Sequence, residues 1–152
     1  MQTSRDQEAE SWFLRAKFLG PSEPNVYVHY GLYLMDRQRF TEAAQHLGQA
    51  AQLSPQDYDN VFNAAVAYRE SGQLELAESF YRKSVQIRPM EASSHMNLGA
   101  LLHLRGKLEE AEKEYIQAWS LQPGNLATRT NIERLHRVMR KKNINITQLI
   151  DL

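Results

Sequence analysis

Asn63, Asn97 and Asn131 stand 34 residues apart, and His29 occupies the same column one period earlier. A side-chain amide carries two N–H donors and a carbonyl acceptor, so it can pair with both polar groups of an extended peptide backbone. A row of such amides would hold a peptide without reading its side chains. Val28, Leu32 and Met35, then Phe62 and Val66, then Met96 and Ala100 flank the row and would give it an apolar floor. Phe62 and Met96 are the two expected to reach a ligand. The competing assignment is structural: the asparagines tie helices together, and Leu32, Val66 and Ala100 belong to the core.

Other chemistry is absent from the pattern. There is no glycine-rich phosphate loop, HExxH helix or nucleophile elbow, and without cysteine there is neither a disulfide framework nor a thiol nucleophile. Among the five histidines, His95 and His103 lie eight residues apart and could share a helix face. His95 falls in a core column, however, which favours a packed imidazole over a metal ligand. Glu109, Glu110 and Glu112, with Lys107 and Lys113, read as a solvated helix face. No catalytic set, cofactor or metal site is expected. The formal net charge of zero argues against a generic nucleic-acid or membrane-surface binder. Leu126 to Lys142 nevertheless holds six Lys or Arg against one Glu, and its basic run from Arg137 suits a helix C-terminus. No apolar run approaches the ~20 residues of a membrane span, and no signal-peptide core opens the chain.

The elements that position these residues follow from the same period. Pro21, Pro55, Pro89 and Pro123 are spaced by 34 residues, as are Ala9, Ala43, Ala77 and Ala111, and the large residues Phe13, Leu47, Tyr81 and Tyr115. Counting units from Pro24, Tyr58 and Ala92, positions 4, 7, 8 and 11 read Tyr27-Tyr30-Gly31-Leu34, Val61-Ala64-Ala65-Tyr68 and His95-Leu98-Gly99-Leu102. These spacings put four side chains on one helix face, with a small residue where a second helix must come close. Gly72 and Gly106 supply the left-handed residue of a tight turn; Gln38 takes that column in the first unit, so its turn is expected to be strained or built differently. Each proline follows a second helix that it cannot extend.

This period and pattern resemble the tetratricopeptide repeat (TPR), which implies an all-α helix–turn–helix solenoid with a concave groove. The expected division is a second helix of a truncated repeat (1–23), three full repeats (24–57, 58–91 and 92–125), a capping helix (126–142) and a tail (143–152). The first segment matches only the second half of a repeat, with Ser4 and Gln7 at capping-box spacing. It reads as the end of a longer array, leaving Trp12, Phe13 or Leu14 partly uncovered and dimerisation through that helix open. The capping helix has Glu133 where the close crossing needs a small residue, an apolar side of Ile132, Leu135, Val138 and Met139, and a polar side that includes Arg134. The tail is expected to be loose, although Leu149, Ile150 and Leu152 could dock.

TPR modules that bind chaperone C-terminal tails use a clamp of Lys, Asn, Asn, Lys and Arg. The matching positions here are Val28, Leu32, Asn63, Ser93 and Asn97, and only Asn63 agrees. Three stretches, Glu8 to Ala16, Met96 to Leu104 and Asn131 to His136, are similar to the C-terminal TPR region of the TMTC family. Those are membrane proteins of the endoplasmic reticulum that O-mannosylate cadherins and related proteins. The resemblance implies a catalytic site in a membrane part outside this sequence, and a lumenal repeat region that engages acceptor proteins, cadherin-like clients or other lumenal factors. A glycosylation triplet, Asn145-Ile146-Thr147, carries meaning in that compartment. The expected function is a non-enzymatic module binding an extended protein segment. The alternative is a cytoplasmic scaffold that binds through its convex face or end helices.

Overall fold

The computed structural model describes residues 3–147, and among these it contains eight α-helices and no β-strand. They are α1 (Ser4–Leu19), α2 (Pro24–Asp36), α3 (Phe40–Leu53), α4 (Tyr58–Glu70), α5 (Leu74–Ile87), α6 (Ala92–Leu104), α7 (Leu108–Leu121) and α8 (Leu126–Lys141). The fold is the all-helical helix–turn–helix solenoid that the columns predict. It divides into two compact units, Met1–Phe80 and Tyr81–Leu152, with the division falling inside α5.

Three turns of three residues join α2 to α3, α4 to α5 and α6 to α7. Their middle residues, Gln38, Gly72 and Gly106, are left-handed, with φ of 58°, 80° and 76°. The next N–H then reaches back to the last turn of the preceding helix: Arg39 to the Leu34 carbonyl, Gln73 to Tyr68 and Lys107 to Leu102, each at 2.9 Å. The turn at Gln38 is therefore built like the others, and it carries the steric cost that a Cβ pays in this region. Each second helix stops two residues before its proline, at Leu19, Leu53, Ile87 and Leu121. Asp57 and Asn125 then cap α4 and α8, accepting from the Asn60 N–H at 2.9 Å and the Thr128 N–H at 3.0 Å.

In the first unit the small residues set the packing distance. A Cβ on Gly31 would stand 2.6 Å from Leu47 Cγ, and one on Gly48 would stand 2.3 Å from the Tyr68 hydroxyl. α3 is thus approached closely by α2 on one side and by α4 on the other. Ala43, Ala44, Leu47, Ala50, Val61, Ala64 and Ala65 are buried there. Phe13 of α1 stacks on Tyr30 of α2, with ring centroids 4.3 Å apart, and is buried. Trp12, Leu14, Phe18 and Leu19 of α1 stay 63%, 57%, 85% and 76% exposed. The cap of α1 is Thr3 with Asp6, one residue earlier than the expected Ser4–Gln7 pair, because the Thr3 hydroxyl reaches the Asp6 N–H while the Asp6 carboxylate accepts from the Thr3 N–H.

The second unit repeats the arrangement. A Cβ on Gly99 would lie 2.8 Å from Tyr115 Cδ1, so α6 and α7 meet as α2 and α3 do. Ile132, Leu135 and Met139 of α8 are fully buried, while Glu133 is exposed and paired with Arg129 at 3.0 Å. Two expectations fail here for one reason. Glu112, read from sequence as solvated, is buried and accepts from His136 Nε2 at 2.7 Å. It also accepts from the Thr147 N–H at 3.0 Å and the Thr147 hydroxyl at 2.9 Å. Residues 143–147 are consequently tied to α7 rather than loose. Leu149, Ile150 and Leu152 lie outside the described residues.

Gln38→Gly should raise unfolding stability by about 1 kcal/mol, and Gly72→Ala should lower it by a similar amount, since no atom within 4 Å of a Cβ at Gly72 would otherwise oppose it. Urea denaturation of the two variants against the parent chain checks both signs.

Candidate peptide-binding surface

The docking of α1 onto α2 frames the candidate residues of the first unit. The Asp6 carboxylate accepts from the Thr3 N–H at 2.8 Å, the Tyr33 hydroxyl at 2.7 Å and the Thr3 hydroxyl at 2.9 Å, and it faces the Arg37 guanidinium at 3.7 Å. The Thr3 N–H, followed by the Tyr33 and Thr3 hydroxyls and the Arg37 charge, holds this carboxyl at about 2, below its ordinary 3.8. Beyond Asp6, the two helices leave an apolar groove of about 410 Å³ lined by Ala9, Trp12 and Ala16 of α1 and by Asn25, His29 and Tyr33 of α2. His29, assigned from sequence to the amide row, is exposed at this groove. Val28 and Met35 are half-buried, and Leu32 is exposed, so the two clamp positions on α2 present aliphatic surface and no cation.

Asn63 and Phe62 follow on α4. Phe62 is half-buried and stacks on Tyr58, with centroids 5.6 Å apart at 21°. This contact leaves part of the ring open and fixes its direction. Asn63 is half-buried, and its amide makes no hydrogen bond among the described residues, so both donors and the acceptor are available.

In the second unit the row is uneven. Met96 is half-buried. Asn97 departs from the pattern, because its amide N–H donates to the Ser93 carbonyl of its own helix at 2.8 Å. That donor is spent on backbone four residues earlier, a local bond that an asparagine within a helix readily makes. Asn131 makes no hydrogen bond among the described residues and lines a depression of about 480 Å³ with Ala100, His103, Leu104, Tyr115 and Arg134. Arg134 is exposed and in no ion pair among the described residues. Burial pushes the His103 imidazole down and the Tyr115 phenol up to about 12, so both present neutral groups near neutral pH. The depression therefore combines one free cation, one free amide and an aliphatic wall, which suits an acidic side chain or chain terminus carried on an apolar segment.

Sequence reasoning missed Arg134, which it placed only on a solvated side, and it missed the inward turn of Glu112. A signal for the second existed in the columns: His136 stands where Leu34, Tyr68 and Leu102 stand in earlier units, so a polar partner was needed nearby. His95, the other column exception, is buried and bonded to Glu114 at 2.7 Å and to the Pro89 carbonyl at 2.8 Å. Tyr27 makes the equivalent bond to the Pro21 carbonyl one unit-pair earlier, also at 2.8 Å.

Two family profiles described as tetratricopeptide repeat match the chain, one over residues 34–96 and one over residues 92–125. A search of curated proteins finds no match. Among solved structures, the first TPR of Spaghetti (RPAP3) bound to the HSP90 peptide SRMEEVD superposes with a TM-score of 0.72 at 21% identity, covering 77% of this chain and 93% of that one. The Sgt2 TPR domain from Aspergillus fumigatus gives 0.71 at 20% identity, over 85% of this chain and 89% of that one. MamA gives 0.79 at 13% identity, over 94% and 88%. At these identities the likeness is one of fold.

A carboxyl depressed in the folded state contributes stability above its ordinary value and loses it as pH falls through the depressed one. Asp6 should therefore anchor α1 fully above about 4 and release it progressively toward pH 2. Acid titration of the parent chain against Asp6→Asn, followed by helicity, should show a loss in this window that the variant lacks.

Proposed function

We propose that this chain, which belongs to the tetratricopeptide repeat family, is a protein-interaction module that binds an extended segment of a partner protein. The observation that carries this reading is an unspent amide in the same column of the repeat in each unit, Asn63 next to the half-open Phe62 ring and Asn131 beside the aliphatic wall of its depression. Buried or half-buried amides ordinarily find partners within their own chain; these two have none among the described residues. Phe62 and Met96 add apolar contacts, and Arg134 beside Asn131 favours an acidic group on the segment. A peptide seated in the Spaghetti relative supports the general mode. Of the five clamp positions for a chaperone tail only Asn63 agrees, which favours a segment of another kind.

The finer reading is a lumenal repeat region of an O-mannosyltransferase of the endoplasmic reticulum, with cadherin-like clients or lumenal factors as partners and catalysis in a membrane part outside this sequence. It is supported by the three TMTC-like stretches and by Asn145, which is exposed at the head of its triplet. A second reading, a cytoplasmic scaffold binding through its convex face or end helices, is favoured by the exposed apolar residues of α1.

Capture of partners from lumenal and cytosolic extracts separates these readings. Replacing Asn63 and Asn131 with Ala should cut capture of lumenal partners roughly tenfold at unchanged helicity, from about 0.5–1.5 kcal/mol per hydrogen bond lost. Asn97→Ala should change it little. Equal capture by parent and double variant would reject the amide surface. The compartment is tested apart from the surface: translated into the endoplasmic reticulum, the chain should gain one glycan that Asn145→Gln removes. Because Glu112 engages the Thr147 hydroxyl in the folded chain, addition should occur during synthesis and fail on the purified folded protein.

A further inference from the structure

The α1/α2 groove has an internal counterpart that shows what kind of object fills it. One period later its lining column becomes Ala43 and Ala50, both fully buried, on helix α3, against which α2 is packed. On α1 the same column, Ala9 and Ala16, is only half-buried. The groove thus has the surface of a helix seat, apolar and floored by small residues.

We propose that its occupant is α1 of a second copy of this chain, lying antiparallel and centred on Trp12. Ala9, Trp12, Ala16 and Leu19 recur at helical spacing and form an uncharged stripe on the free side of α1. Small residues at Ala9 and Ala16 let two backbones approach, and Trp12, 63% exposed on the wall of the groove, presents a large ring that its counterpart on the other copy can cover. Charge fixes the direction. With Asp6 turned in toward Tyr33 and Arg37, the outward charges of the first half of α1 are Glu8 and the half-buried Glu10 against Arg5, and the second half carries Arg15 and Lys17 with no acid. Antiparallel pairing lays the acidic half of each helix on the basic half of the other, while parallel pairing would oppose like charges. With Trp12 opposite Trp12, Glu8 of one copy falls beside Arg15 of the other, twice over, as a two-fold interface requires. Glu8 and Arg15 are exposed and in no ion pair among the described residues.

Sedimentation equilibrium of the full chain from about 1 µM to about 1 mM should show monomer giving way to dimer, the range expected of a small interface. Trp12→Ala should raise the dissociation constant at least about tenfold, as loss of a central aromatic anchor does. Glu8→Arg alone should weaken the dimer about five- to tenfold, and combining it with Arg15→Glu should restore it to within about threefold, because each copy then supplies the exchanged charge. Unchanged circular dichroism keeps the comparison to association. A chain that stays monomeric throughout, a dimer indifferent to Trp12, or a double charge variant no tighter than the single one would each overturn the proposal.

Discussion

The close approach of paired helices is the constraint from which the other features follow. Where Gly31 faces Leu47 and Gly99 faces Tyr115, no room exists for even one methyl group. Helices that near are joined here by three residues, and in each of the three turns the middle residue is left-handed. The turn in its place fixes the register of the second helix, which then presents its own column of small and large residues to the next unit. The 34-residue period is thus the spacing at which identical contact geometry can recur. Function is carried on the positions this geometry leaves over.

Much of this was legible in the chain as written. Small residues, prolines and turn glycines stand for backbone requirements, and backbone requirements repeat with the period, so helix starts at 24, 58, 92 and 126 could be read directly. What resisted reading were the positions where a column changes its chemistry. Asp6 stands where Phe40, Leu74 and Leu108 stand later, and a helix-wheel reading cannot say that its carboxylate turns back to cap α1 while reaching Tyr33 and Arg37. Glu112 reads as part of a solvated face with Glu109, Glu110, Lys107 and Lys113; its burial depends on His136, 24 residues away, and on a carboxy-terminal segment with no pattern of its own. The amide row was visible as residues, but its inequality was not, since Asn97 is spent on Ser93 through a bond that the neighbouring amides do not make.

Polar groups therefore do two different things in this repeat. Tyr27 and His95 sit in a packed column and use their polar tips on the carbonyl of the preceding proline, so a buried hydroxyl and a buried imidazole do one task at one position. Asp6 and Glu112 tie the first helix and the last described residues to the units they adjoin, and each is met by several donors, which is what makes a buried carboxylate tolerable. Asn63, Asn131 and Arg134 differ in having no such obligations, and that freedom distinguishes a surface able to bind from one that only holds itself together.

The three inter-helix turns also make the molecule its own reference for local motion. The same backbone bond, from the residue after the left-handed one to the carbonyl five residues earlier, occurs at 2.9 Å at Arg39, Gln73 and Lys107. Two of these turns rest on glycine and one on glutamine, so the difference in their amide exchange rates with solvent deuterium measures what a side chain costs a left-handed turn, with bond length and topology held constant by the repeat itself. The hairpin of α2 and α3 is on this account the one that opens most readily, and it is the hairpin on which α1 is seated.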